Sequence, residues 1–145
     1  MIIEKTKTAL VWFRQDLRLQ DNPALVAASK SNKVLPIYIF DHINSNNSTL
    51  GAVSKLWLHY SLEVLNDQLE GKLRIIQGDP KILIPRFVEM NNIDSVFWNR
   101  SYEPWQINRD TIIKADLLKT GCNVESFNGS LLWEPMMVLK QDRTP

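Results

Sequence analysis

The chain has a single cysteine, Cys122, among its 145 residues. One cysteine excludes an internal disulfide and fits a reducing compartment. There is no charge excess, since 17 basic groups stand against 16 acidic ones. The seven arginines (14, 18, 74, 86, 100, 109 and 143) are scattered, so the composition lacks the basic face a nucleic-acid binder presents. No apolar run is long enough to cross a membrane, and Met1 to Lys7 holds no apolar signal core. Cytoplasmic residence is the default expectation. Repeats and low-complexity segments are missing. No glycine-rich loop follows a strand, which counts against a pyrophosphate cradle. His42, His59 and Cys122 lack the spacing of metal ligands, and no nucleophile–base or paired-carboxylate pattern is legible, so neither a metal nor a catalytic residue is expected.

What is present is an alternation. Thr8 to Phe13 is an unbroken apolar run, expected as a buried central strand. Asn22-Pro23 is a cap followed by a proline in the first helical turn. Val34 to Phe40 reads as a second strand, with Pro36 expected to force a bulge or to delay pairing until Ile37. His42 to Thr49 is a polar loop. A helix from about Val53 to Glu70 buries Leu58, Leu62, Leu65 and Leu69 and stops at Gly71. Leu73 to Gln77 is a third strand. Asp79-Pro80 opens a helix expected to bury Leu83, Phe87 and Met90. Ser95 to Trp98, a helix from Pro104 to Lys119, and Asn123 to Phe127 complete the pattern. Five strands alternating with helices predict an α/β fold, a parallel sheet covered on both faces. The length suits one domain with a proper core.

The loop after the first strand carries Arg14, Asp16, Arg18 and Asp21. Two readings stay open: a charged rim that positions a ligand or a neighbouring domain, or an ion-pair network joining this loop to the fourth one through Arg100 or Arg109. Arg14 stands first after the strand, where its planar fork can stack on a ring or pair with an acid. Asp41, beside Phe40 at the end of the second strand, reads equally as a ligand acceptor or a loop cap. Asn99, Arg100, Glu103, Trp105 and Gln106 follow the fourth strand and flank the same crevice, while Glu103 also suits a helix start. Trp12 and Trp98 read as core.

The stretch VWFRQDLRLQDNPAL from Val11 to Leu25 closely resembles the opening signature of the DNA photolyase and cryptochrome family. Phe40-Asp41, the helix bearing Trp57-Leu58 and Ser61-Leu62, Gly78-Asp79-Pro80, Asn99-Arg100, Tyr102-Glu103-Pro104, Arg109-Asp110, Leu131-Leu132 and Glu134-Pro135 follow in the family order. The resemblance implies a doubly wound, Rossmann-like sheet with strand order 3-2-1-4-5. It implies that residues 1–133 form the N-terminal antenna domain and that residues 134–145 begin a linker to a larger helical domain. That helical domain, expected to lie outside this chain, would hold FAD and the damaged DNA. The full-length protein would then be a deoxyribodipyrimidine photo-lyase, repairing pyrimidine dimers with light, while this part alone would be inactive and would self-associate weakly. A cryptochrome-type signalling domain and a stand-alone nucleotide-binding module are the alternatives. The family's tryptophan relay belongs to the helical domain, so the five tryptophans here are not assigned to it. Folate-using members carry Asn-Glu just after Tyr-Glu, where this chain has Trp105-Gln106, so a folate antenna is disfavoured against a deazaflavin or FMN, and no antenna at all is the third option. Such an antenna would be lined by Arg14, Phe40, Asp41, Asn99, Arg100 and Glu103, with Trp105 and Gln106 beside it. Residues 42–49 would form a lid, with Leu50 and Lys55 behind.

Overall fold

Strand β1 (Thr8–Phe13) forms the middle of the sheet because every residue from Ala9 to Phe13 is apolar and buried. A strand covered on both faces has no use for alternation. The computed structural model describes residues 6–44 and 52–129. The remaining elements are α1 (Pro23–Ala28), β2 (Lys33–Phe40), α2 (Ala52–Gln68), β3 (Arg74–Gln77), α3 (Pro80–Met90), β4 (Ser95–Asn99), α4 (Pro104–Lys119) and β5 (Asn123–Phe127). The order across the sheet is β3-β2-β1-β4-β5, and all four pairings are parallel. The expected doubly wound architecture is therefore the one observed.

Alternate residues of β1 serve two cores. Leu10 and Trp12 join Ile37, Ile39, Val96 and Trp98 against Ile84 of α3 and Ile113 and Leu117 of α4. Ala9, Val11 and Phe13 join Phe97 against Ala24 and Ala28 of α1 and Leu62 and Leu65 of α2. Trp12 and Trp98 meet edge to face, ring centroids 5.6 Å apart, so both tryptophans are core as expected.

Both proline-led helix starts form as the sequence predicts. The Asn22 side chain accepts from Leu25 N at 3.1 Å, and the Asp79 side chain accepts from Lys81 N at 3.0 Å. Gly71, at φ +76°, ends the turn after α2 and returns its N–H to Asn66 O at 2.8 Å, closing the helix end.

Two expectations are corrected. Pro36 neither bulges β2 nor delays it, since Lys33 to Tyr38 pair with β1 in unbroken register. Lys33 N donates to Lys7 O on the β1 side. Groups along a strand alternate in direction, so the Pro36 nitrogen points the other way, toward β3. Pairing with β3 begins only at Ile37, and no ladder bond is lost. In α3 the buried row is Pro80 and Ile84, with Leu83, as expected, and Val88 partly buried against it, while Met90 is 74% exposed. The expected row of Leu83, Phe87 and Met90 lies one residue, about 100°, around the helix. That row also lines a groove with Arg74, Ile75, Ile76 and Arg86 at the β3 edge, and Met90 at its end is out of the core.

Cys122 is buried, and burial followed by the nearby Asp94 pushes its thiol up to about 11. No helix among the described residues is long and apolar enough to cross a membrane.

Candidate functional site at the carboxyl edge of the sheet

Helix α4 buries Gln106, Arg109, Asp110, Ile113 and Leu117. These positions share one helical face, so the apolar stripe that packs on the sheet becomes polar toward the N-terminal end of the helix. That end lies at the carboxyl edge, where the loops after β1, β2 and β4 converge. Crevices at this edge, beside the strand where successive crossovers part, are where ligands of open α/β sheets bind.

Four charged side chains meet there. Arg109 reaches Asp41 through Nη1 at 3.1 Å and Asp110 through Nε at 3.1 Å. Asp110 also accepts from Arg14 Nη2. The side chains of Arg14, Arg109 and Asp41 are each 5% exposed, and the two positive and two negative charges balance. Aromatic faces hold the guanidinium groups in place. The Arg14 group lies 4.6 Å from the Trp12 ring centroid, and the Arg109 group lies 4.8 Å from Trp12 and 5.0 Å from Trp105.

Burial lowers the pKa of Arg14, Asp110 works against that shift, and Arg109 adds to it. Nε and Nη1 of Arg14 find no hydrogen-bond partner among the described residues. Buried donors left this way are costly and call for an acceptor. Burial alone would raise the Asp41 carboxyl. Hydrogen bonds from the Asn44 backbone and side chain, from Arg109 and from Ile43 outweigh it and hold Asp41 below the usual carboxylate range.

A lowered carboxylate pKa stabilises the fold fully above the unfolded value near 4, and that contribution is lost as pH falls through the folded value. Acid titration of the melting temperature is therefore expected to fall below pH about 4, with the fall shallower in Asp41→Asn. An acid limb identical in the two proteins would contradict the role given to Asp41.

A second polar cluster lies under the loop after β1. Asn99 donates to Asp16 and, at 2.8 Å, to the Asn22 side-chain oxygen, while its own oxygen accepts from Ala24 N at 3.2 Å. Asp16 also accepts from Arg14 N at 3.0 Å. Arg18 turns outward and donates to the carbonyls of Gln20, Asp21 and Gly129. A Cβ at Gly129 would stand 2.7 Å from Asn99 Cγ, so only glycine lets the chain pass so close.

The candidate residues divide as follows. Arg14 and Asp41 come together through Arg109 and Asp110, with Trp105 against Arg109 and Gln106 buried on the same helix. Phe40 packs edge to face on Tyr38 at 5.8 Å. Asn99 belongs to the second cluster. Arg100 donates to the Ser126 carbonyl at 2.7 Å, toward β5. Glu103 stands at the N-cap of α4 without capping it, and its carboxylate takes the Trp105 indole N–H at 2.7 Å. Lys55 is exposed on α2. Leu50 and the lid from residue 45 onward lie outside the described residues, as does the segment from Ser130. Of the two readings of the first loop, the ion-pair network is present, and it runs through Arg109. Asp110 was the partner not singled out, although the polar end of the α4 stripe signals it. Among the described residues no group of three His, Cys, Asp or Glu side chains is placed to hold a metal.

A family model described as DNA photolyase matches residues 9–145. A deoxyribodipyrimidine photo-lyase of Agrobacterium fabrum is 39% identical over 135 residues, covering 90% of this chain and 28% of that protein. Cryptochrome-2 of Arabidopsis thaliana is 33% identical over 143 residues, covering 96% of this chain and 23% of that one. The crystal structure of a class III photolyase from Agrobacterium tumefaciens superposes with a TM-score of 0.85 at 37% identity, over 93% of this chain and 28% of that one. An archaeal photolyase from Sulfolobus tokodaii, described as holding two FAD molecules and implying a novel light-harvesting cofactor, superposes with a TM-score of 0.74 at 28% identity, over 83% and 29%. The chain thus spans between 23% and 29% of the length of these relatives.

Proposed function

Because this chain belongs to the DNA photolyase family, we propose that it is the front α/β domain of a light-using flavoprotein and holds an antenna chromophore at the carboxyl edge of its sheet. The observation that carries this reading is Arg14, buried there against the Trp12 face with two donor nitrogens lacking a partner among the described residues. A planar chromophore with carbonyl or hydroxyl oxygens supplies the acceptors they need, and Asp41 offers a fixed negative charge to a ring N–H or hydroxyl. Bound there, the antenna would absorb light and pass the excitation to a flavin. The chain's own part is to orient the ring and keep water away from it.

In this reading residues 1–133 are the antenna domain and residues 134–145 open a linker to a helical domain. FAD and a pyrimidine dimer in DNA are bound by that further part, with the lesion flipped from the stack. The protein works in a reducing, cytoplasmic setting, which suits its lone buried thiol. The photo-lyase assignment draws on the 39% identity and on the TM-score of 0.85. A cryptochrome-type signalling role draws on the 33% identity to the plant protein.

The test is reconstitution of the purified chain with a deazaflavin, FMN and methenyltetrahydrofolate in parallel, followed by fluorescence. The expected result is one saturable site that prefers deazaflavin or FMN, with folate weakest because Gln106 lacks a carboxylate. Binding of none of the three would overturn the antenna reading, and tight folate binding would overturn the assignment of its chemistry.

A further inference from the structure

Helix α2 is apolar on two opposite sides, and only one of them is covered. Leu62 and Leu65 are buried against the sheet, flanked by half-buried Leu58 and Leu69. On the far side Val53, Leu56, Trp57, Tyr60 and Val64 are each between 55% and 76% exposed. At about 100° per residue these five fall in a single stripe about 100° wide. Between Val53 and Val64 the stripe holds no charged residue, and the exposed Asp67 bounds it at its C-terminal end. Glu63, on its flank, lies 3.8 Å from His59. Scattered exposed apolar residues need no explanation, but a contiguous stripe that includes Trp and Tyr marks an interaction site.

We propose that this stripe pairs with the same stripe on a second copy of the chain, with the two helices antiparallel about a two-fold axis. The argument is self-complementarity, which an isologous interface requires. Antiparallel pairing centred between Leu58 and His59 sets Val53 opposite Val64 of the second copy and Trp57 opposite its Tyr60. Valine meets valine and each aromatic ring meets an aromatic ring, while Leu56 falls opposite Ser61. A second exposed apolar region, the groove beside β3, lacks this property: Arg74 and Arg86 line it, and pairing with itself would bring like charges together. Five half-exposed side chains of this size remove roughly 500 Å² per copy, about 1,000 Å² in all, at the low end for a specific interface. The dimer is accordingly weak and depends on concentration.

Sedimentation equilibrium of the full chain tests this. Mass is expected to rise from monomer to dimer with concentration. Trp57→Glu is expected to raise the dissociation constant by about tenfold or more. Met90→Glu, an equally exposed site on α3, is expected to leave it unchanged. Mixing a Val53→Cys chain with a Val64→Cys chain under oxidation is expected to give the mixed disulfide. Homodisulfides alone would mean parallel pairing and overturn the geometry. A strictly monomeric chain with no cross-link would overturn the proposal and show that this face is left for another partner or for chain beyond Gly129.

Discussion

Replacing Asp110 by alanine is expected to destabilise the fold by about 3–5 kcal/mol, because it breaks a buried ion cluster from one side. Asp110 is the acid that both Arg14 and Arg109 share. Without it Arg14 loses its only side-chain acceptor among the described residues, its other two guanidinium nitrogens being already unpartnered. Arg109 keeps only Asp41. A buried charge without a partner costs far more than the pair ever contributed, since no solvent replaces the lost carboxylate. At this chain length such a loss lowers the melting temperature by roughly 10–20 °C. Removing both partners, Arg14→Leu with Asp110→Leu, is expected to cost less than the sum of the single changes, because no stranded charge remains. Urea unfolding followed by circular dichroism measures all three. A loss under about 1 kcal/mol for Asp110→Ala would show that the cluster is solvated rather than buried.

Trp12→Ala is expected to cost about 3–5 kcal/mol, the range for emptying a large aromatic site in a core. Two effects add here. The ring fills the centre of the sheet against Trp98, and its face carries the guanidinium groups of both Arg14 and Arg109. Trp12→Phe keeps an aromatic face and most of the volume, so its loss should be clearly smaller. Trp12→Leu fills the volume in part but removes the face. A double-mutant cycle of Trp12→Leu with Arg109→Met is expected to show coupling of about 0.5–2 kcal/mol, the magnitude of a cation–π contact. Additive single effects would assign the cost of the Trp12 change to packing alone.

The fold was legible because its strongest signals are local. β1 is a continuous apolar run, and Asn22-Pro23 and Asp79-Pro80 mark two helix starts with side chains three residues or fewer from their targets. The errors came from geometry that lettering does not carry. Whether Pro36 costs a hydrogen bond depends on which neighbour its nitrogen faces. Met90 belongs to a row of α3 only one residue away from the buried one. The site was legible in outline, as three loops on one edge, because strand order decides which loops meet. Its partners were not. Asn99 meets Asp16 and Asn22 across 83 and 77 residues, and Arg14 meets Asp110 across 96. Asp110 was nevertheless within reach of inspection, since Gln106, Arg109 and Asp110 continue the helical phase of Ile113 and Leu117.

The central claim is that an antenna chromophore binds at the carboxyl edge through Arg14 and Asp41. Its most direct measurement is the dissociation constant of the deazaflavin or FMN complex, read by fluorescence, for the chain and for Arg14→Gln and Asp41→Asn. Circular dichroism confirms that each variant is folded at the temperature used. Loss of one charge-assisted hydrogen bond predicts that affinity falls by about tenfold or more in both variants while Met90→Ala, exposed at the C-terminal end of α3, leaves it unchanged. Unaltered affinity in folded Arg14→Gln and Asp41→Asn would contradict the account and place the chromophore elsewhere.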